Sequence, residues 1–147
     1  MTLPPLRREV LVDADPALAF RVFTGRIGAW WPLDRHSVYG DAATVAFDRL
    51  EVGGRIVESR TGAEDAVWGT VTLWEPGAVV AFTWHPGHGE ERASRVTVTF
   101  EDQGGKTLVR LEHVGWEVFG SLAEEAQADY GQGWPVVLDR YAAAATA

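Results

Sequence analysis

Gly131-Gln132-Gly133-Trp134-Pro135-Val136-Val137-Leu138-Asp139-Arg140-Tyr141 is the stretch on which the fold turns. With Tyr130 before it, the residues Tyr130, Trp134, Val137, Leu138 and Tyr141 recur at intervals of three and four. That spacing lines large apolar groups along one face of a helix, predicted over roughly 121–145. Gly131, Gly133 and Pro135 are expected to bend or restart it, because an interior proline loses a backbone hydrogen bond and crowds the preceding turn. The run Ala142 to Ala147 reads as a fraying tail.

Upstream of that helix the pattern is mostly strand. Residues 6–13 alternate Arg8/Val10/Val12 with Glu9/Leu11/Asp13 and predict a first strand. Asp15-Pro16 opens a helix with Asp15 as N-cap and an inner face of Leu18, Ala19, Val22 and Phe23. Gly25 and Gly28 split that region into two short helices ending at Trp30-Trp31-Pro32, and 33–42 reads as loop. Six further strands follow at 43–50, 55–60, 66–74, 78–85, 94–101 and 106–114, joined by short turns. Short turns favour an antiparallel meander, since parallel pairing needs long crossovers. The predicted class is α+β: an antiparallel sheet of about seven strands wrapped around one long C-terminal helix. Residues 1–147 are expected to form a single domain.

Composition narrows the partners. A net charge of −8 with scattered arginines and a lone Lys106 leaves no basic patch, which argues against nucleic acid and against a polybasic membrane anchor. There is no cysteine, so disulfides, thiolate metal sites and a cysteine nucleophile are excluded. No apolar run approaches the ~20 residues of a membrane span. The N-terminus lacks the basic and apolar regions of a signal peptide, so a cytoplasmic location is expected.

Several motifs occur in a telling order. Phe20 and Phe23 lie in the first helix and Trp30-Trp31 follows; a Gly53-Gly54 turn comes next. The block Gly69 to Glu75-Pro76 precedes Phe82-Thr83-Trp84, and Glu112-His113-Val114-Gly115 precedes Gly133-Trp134 with Val137-Leu138-Asp139. In this order the chain resembles the START-related superfamily. More narrowly it resembles the SRPBCC proteins similar to the C-terminal domain of the heat-shock-protein ATPase activator (Aha-type). The resemblance covers nearly the whole chain and implies a helix-grip fold with an internal cavity. It implies no fixed reaction, because the superfamily hosts lipid carriers, hormone receptors, aromatase/cyclases and co-chaperone domains.

Strand parity selects candidate residues. Val96, Val98 and Phe100 share one face of their strand, as do Val109, Leu111 and His113 of the next. His113 is thus either a hydrogen-bonded core residue or a group that orients a ligand or acts as a base. Trp31, Trp84 and Trp134 are the expected walls of a cavity, with Phe82, Val98, Phe100, Leu111, Tyr130 and Leu138 as apolar surroundings. For Phe82 and Phe100 plain core packing is the favoured alternative. Trp116 and Phe119 are placed to form a lid at the mouth or a dimer patch. Glu58 alternates with Ile56 and faces either inward, where it needs a partner such as Arg95, or a wet sheet edge. His36 either guards an entrance or is solvated.

Other chemistry lacks its motif. His85 and His88 share a turn but find no third metal ligand beyond Glu90 and Glu91. No nucleophile elbow or phosphate loop is present, and no cofactor is expected. The expected function is binding of a small hydrophobic or aromatic ligand between sheet and helix, with His113 as polar anchor. The alternatives are a polyketide cyclase/dehydratase-type enzyme using His113 and Glu58, or a co-chaperone-like interaction module with a chaperone partner. A homodimer is compatible with all three.

Overall fold

The computed structural model describes residues 3–146. Seven strands form one antiparallel sheet: β1 (Leu6–Val12), β2 (Thr44–Phe47), β3 (Arg55–Ser59), β4 (Ala66–Glu75), β5 (Val79–Trp84), β6 (Ser94–Asp102) and β7 (Thr107–Val114). Their order is β1-β7-β6-β5-β4-β3-β2, so the first strand returns to lie beside the last. Registers shift at Ile56/Val57 and at Val71/Leu73. Such irregularities increase local twist and bend the strands.

Two short helices, α1 (Pro16–Gly25) and α2 (Ile27–Trp30), follow β1. Asp15 caps α1 as expected, its Oδ1 accepting the Leu18 N–H at 2.8 Å. The buried face of α1 is Ala19, Phe20, Val22, Phe23 and Thr24; Leu18 is only half-buried. The long helix α3 spans Ala123–Ala145, preceded by a 3-10 segment at Trp116–Leu122. The predicted start near 121 therefore belongs to the 3-10 segment. Ala142 to Ala145 do not fray: they are helical, and Ala145 is buried. Ala147 lies outside the described residues.

Alternation along β6 and β7 delivers the core. Val96, Val98, Phe100, Val109, Leu111 and His113 are all buried on the concave face, with Phe100 opposite Val109 and Val98 opposite Leu111. On the convex face Arg110 pairs with Glu9 and Glu101, and Arg7 with Glu112. These ion pairs are exposed and contribute little to stability. One aromatic cluster joins Phe20, Phe23, Trp30 and Phe100 to Tyr141 of α3. The Tyr141 hydroxyl donates to the Ala19 carbonyl at 2.7 Å, pinning α3 to α1.

α3 is continuous through Pro135, against the expectation of a restart. The reason lies in β1. Pro135 has no N–H, so the Gly131 carbonyl, four residues earlier, loses its helical partner. The guanidinium of Arg8 replaces it, Nη2 donating to the Gly131 oxygen at 3.1 Å. Gly131 leaves room for this approach, because a Cβ there would stand 3.0 Å from the same Arg8 nitrogen. The sheet thus supplies the hydrogen bond that the helix sequence omits.

Replacing Arg8 by Met is expected to cost about 1–2 kcal/mol in urea denaturation, as for a part-buried charge-assisted bond. In a Pro135→Ala background the backbone N–H returns and the cost of the same change should fall. Equal costs in both backgrounds would refute this account.

Candidate functional site

A cleft of about 430 Å³ opens where three elements converge. The segment after α2 supplies Trp31 and Arg35 to Val38. The end of β5 supplies Trp84, the turn after it supplies Pro86 and Gly87, and α3 supplies Asp129, Tyr130, Gly133, Trp134 and Val137. Trp31 and Trp134 meet edge-on at 6.1 Å, and Trp84 lies 5.4 Å from Trp134 and 5.8 Å from Trp31. Tyr130 stacks on Trp134 with centroids 6.0 Å apart and planes 24° apart. The walls are therefore aromatic, and the polar groups stand at the rim.

The loop wall is anchored from behind by a buried carboxylate. Glu58 is fully buried on β3; its Oε1 accepts the Val38 N–H at 2.8 Å and the Trp68 indole N–H at 3.0 Å, and its Oε2 accepts the Tyr39 N–H at 2.7 Å. Three donors satisfy the carboxylate, so burial without a cation is tolerable. Glu58 does face inward; its partners are these N–H groups and not Arg95. The Trp31 indole N–H donates to the His36 carbonyl at 2.7 Å, which holds the loop against the wall it borders. The His36 ring packs over Gly133, where a Cβ would lie 3.3 Å from the ring carbon Cε1. Burial and then the neighbouring Arg35 charge hold the His36 pKa below its usual value, against a smaller opposing effect of Asp34. Its imidazole is therefore mainly neutral at pH 7.

His113 is fully buried behind the aromatic wall. The Trp134 indole N–H donates to its Nδ1 at 3.1 Å. An indole nitrogen only donates, so Nδ1 carries the lone pair and the neutral ring carries its proton on Nε2. That proton goes to Ser94 Oγ at 2.7 Å, and the Ser94 hydroxyl donates in turn to the Trp84 carbonyl at 3.1 Å. Burial pushes the His113 pKa down to about 3. With both nitrogens engaged and a pKa that low, His113 is a poor proton acceptor at neutral pH.

Of the candidates read from sequence, Trp31, Trp84, Tyr130 and Trp134 line the cleft. Phe82, Val98, Phe100, Leu111 and Leu138 are buried among the core side chains, and His113 and Glu58 lie behind the cleft and shape it. Trp116 forms no lid: it is buried, and its indole N–H donates to the His113 carbonyl at 3.0 Å. Half-buried Phe119 stacks on it. Arg35, Ser37, Val38, Pro86, Gly87, Asp129, Gly133 and Val137 escaped the sequence reading. Gly133, a helical glycine beside Trp134, was the available signal for a close approach by another segment.

His85 does not reach a metal-binding arrangement with His88. Its Nδ1 donates to the His88 carbonyl at 2.9 Å, and no group of three His, Asp or Glu side chains suited to a metal occurs among the described residues. Among the same residues, no helix is long and apolar enough to cross a membrane.

Comparison with known proteins agrees with this architecture. Residues 13–146 match the family described as activator of Hsp90 ATPase homolog 1-like protein. No curated protein matches the chain. Among solved structures, an anthrahydroquino-gamma-pyrone synthase is 30% identical, with a TM-score of 0.63 and coverage of 96% of both chains. The self-sacrificing resistance protein CalC of Micromonospora echinospora is 26% identical, with a TM-score of 0.71 over 97% of this chain and 94% of its own. The Aha1 dimer of Colwellia psychrerythraea is 17% identical, with a TM-score of 0.69 over 98% and 97%, a likeness of fold alone.

The buried ring makes stability depend on pH. The folded pKa of His113 lies below its unfolded value of 6.5, so the unfolded chain takes up a proton first as pH falls. Stability is full above pH 6.5 and is lost progressively between 6.5 and about 3. From pH 8 to pH 5 the His113 share of that loss is about 2 kcal/mol. Denaturation of the wild type and of His113→Gln at both pH values is expected to show this difference in their slopes. Parallel profiles would refute a neutral buried His113.

Proposed function

Because the chain belongs to the activator of Hsp90 ATPase homolog 1-like family, whose fold does not dictate a single activity, we propose its function from its cleft: it binds a small planar aromatic molecule. Residues 1–147 act as one domain for this purpose. The observation that carries the reading is the aromatic lining itself, with Trp31, Trp84, Tyr130 and Trp134 meeting around about 430 Å³. That volume suits a ligand of two or three fused rings. Flat rings offered edges and faces at these separations gain stacking contacts as well as burial. Arg35, Ser37 and Asp129 stand where polar substituents of such a ligand would meet water.

A second reading has its own support. The gamma-pyrone synthase is 30% identical across nearly the whole chain. At the same cleft His36 offers a mainly neutral imidazole. In this reading the bound molecule undergoes ring closure. His36 takes the proton of a phenolic hydroxyl, whose oxygen adds to a ketone carbonyl of the same molecule, and loss of water completes the pyrone. The cleft supplies orientation, and His36 supplies the base.

The binding reading is tested with naphthalene and with chromone, a benzo-gamma-pyrone, followed by quenching of tryptophan fluorescence. Saturable quenching is expected, and Asp129→Phe, which fills the rim from an exposed helical position, should weaken it about tenfold. Linear, unsaturable quenching by both probes would remove the reading. For ring closure, the conversion of 2-hydroxydibenzoylmethane to flavone and water can be followed by absorbance. Acceleration over buffer that disappears in His36→Phe supports catalysis, and a rate equal to buffer removes it.

A further inference from the structure

Charge is distributed unevenly around the mouth of the cleft. Three donors of its lining are committed within the protein. The Trp31 indole donates to the His36 carbonyl, the Trp134 indole to His113 Nδ1, and the Ser37 hydroxyl to the Leu33 carbonyl at 2.6 Å. The guanidinium of Arg35 is not so held. Its side chain is 64% exposed, and the carboxylate beside it, Asp34, stands 4.0 Å from Nε, too far for a hydrogen bond. Asp34 is also shared, since Nη2 of Arg140 lies 3.9 Å from its other oxygen. Two guanidiniums thus face one carboxylate, and positive charge is in excess on the loop side of the mouth. The neighbouring imidazole responds to that excess: the Arg35 charge lowers the His36 pKa more than Asp34 raises it. Asp129, the other charged residue of the lining, belongs to α3 and does not pair with Arg35.

An arginine in this setting recognises an anionic oxygen. Its planar fork of N–H donors matches a carboxylate bidentately, and a long exposed side chain can close over the mouth without rearranging the fold. Aromatic walls keep water from one side of such a pair, which strengthens it relative to a pair on open surface. The chain as a whole acts in the opposite sense: at a net charge of −8 it repels anions at long range, so any attraction must come from the site itself. We propose that Arg35 is a specificity residue that pairs with a carboxylate carried by the aromatic ligand. The ligand class is therefore a fused-ring aromatic acid, with its rings among Trp31, Trp84 and Trp134 and its carboxylate at the loop rim. This inference rests on the aromatic-binding reading and names the substituent that the mouth selects.

The test compares 2-naphthoate with 2-naphthamide, which shares its outline and lacks its charge, by titration calorimetry at pH 7. At about 20 mM salt the wild type is expected to bind the acid about fivefold more tightly, and the preference should shrink towards parity at about 1 M salt. In Arg35→Gln the ratio should fall to one or below, because only the repulsive net charge remains. Arg35→Lys should retain part of the preference, and Asp129→Asn should raise it. Both positions are exposed, and a thermal melt of each variant confirms that the fold is retained. A preference that survives Arg35→Gln, or equal binding of the two probes by the wild type, overturns the proposal while leaving aromatic binding intact. Failure of both probes to bind the wild type overturns that reading and this inference together.

Discussion

A single neutral imidazole ties α3 to the sheet behind the cleft. His113 accepts a hydrogen bond from the Trp134 indole on the helix and donates one to Ser94 on β6, whose hydroxyl donates to the Trp84 carbonyl on β5. Each link has one permitted direction, because the indole can only donate and the carbonyl can only accept. The chain therefore fixes where Trp134 and Trp84 stand relative to each other, and with them two walls of the cleft. Low local dielectric strengthens such a series when every member is paired, and it makes protonation of the ring costly. The same burial that makes His113 a good connector takes it out of proton chemistry at neutral pH.

Two further devices complete the frame, and both hold backbone with a side chain. Glu58 gathers the N–H groups of Val38 and Tyr39 with the Trp68 indole, so the loop that walls the cleft is tied to β3 without a cation. Arg8 caps the carbonyl that Pro135 strands, so the helix crosses its proline unbroken. In each case a charged group is buried or half-buried because it meets backbone dipoles of the right sense. Cavity shape in this fold is thus maintained by polar anchors behind apolar walls.

Much of the architecture was legible in the chain. Seven strands, the Asp15 cap, the short helices before Trp31 and the closing helix all followed from periodicity and turn chemistry, and the motif order agrees with the family match. The inward parity of Phe82, Trp84, Val98, Leu111 and His113 held, because alternation in a strand is local geometry. Glu58 illustrates the limit. Its alternation with Ile56 allowed either an inward or an edge position, and the donors that decide the matter lie about twenty residues away in an irregular loop.

What the sequence determined by itself was the fold and the set of aromatic residues available to line a cleft, since both rest on spacing along the chain. Tertiary structure alone decided which of them do so. Trp116, read as a lid, is sealed against His113, while His36 was drawn to the cleft by its approach to Gly133. It alone also kept α3 continuous, since the Arg8 bond to Gly131 spans more than a hundred residues. The physical reason is common to these cases: burial and hydrogen-bond pairing are set by which segments meet, and neither a strand's period of two nor a helix's period of 3.6 carries that information.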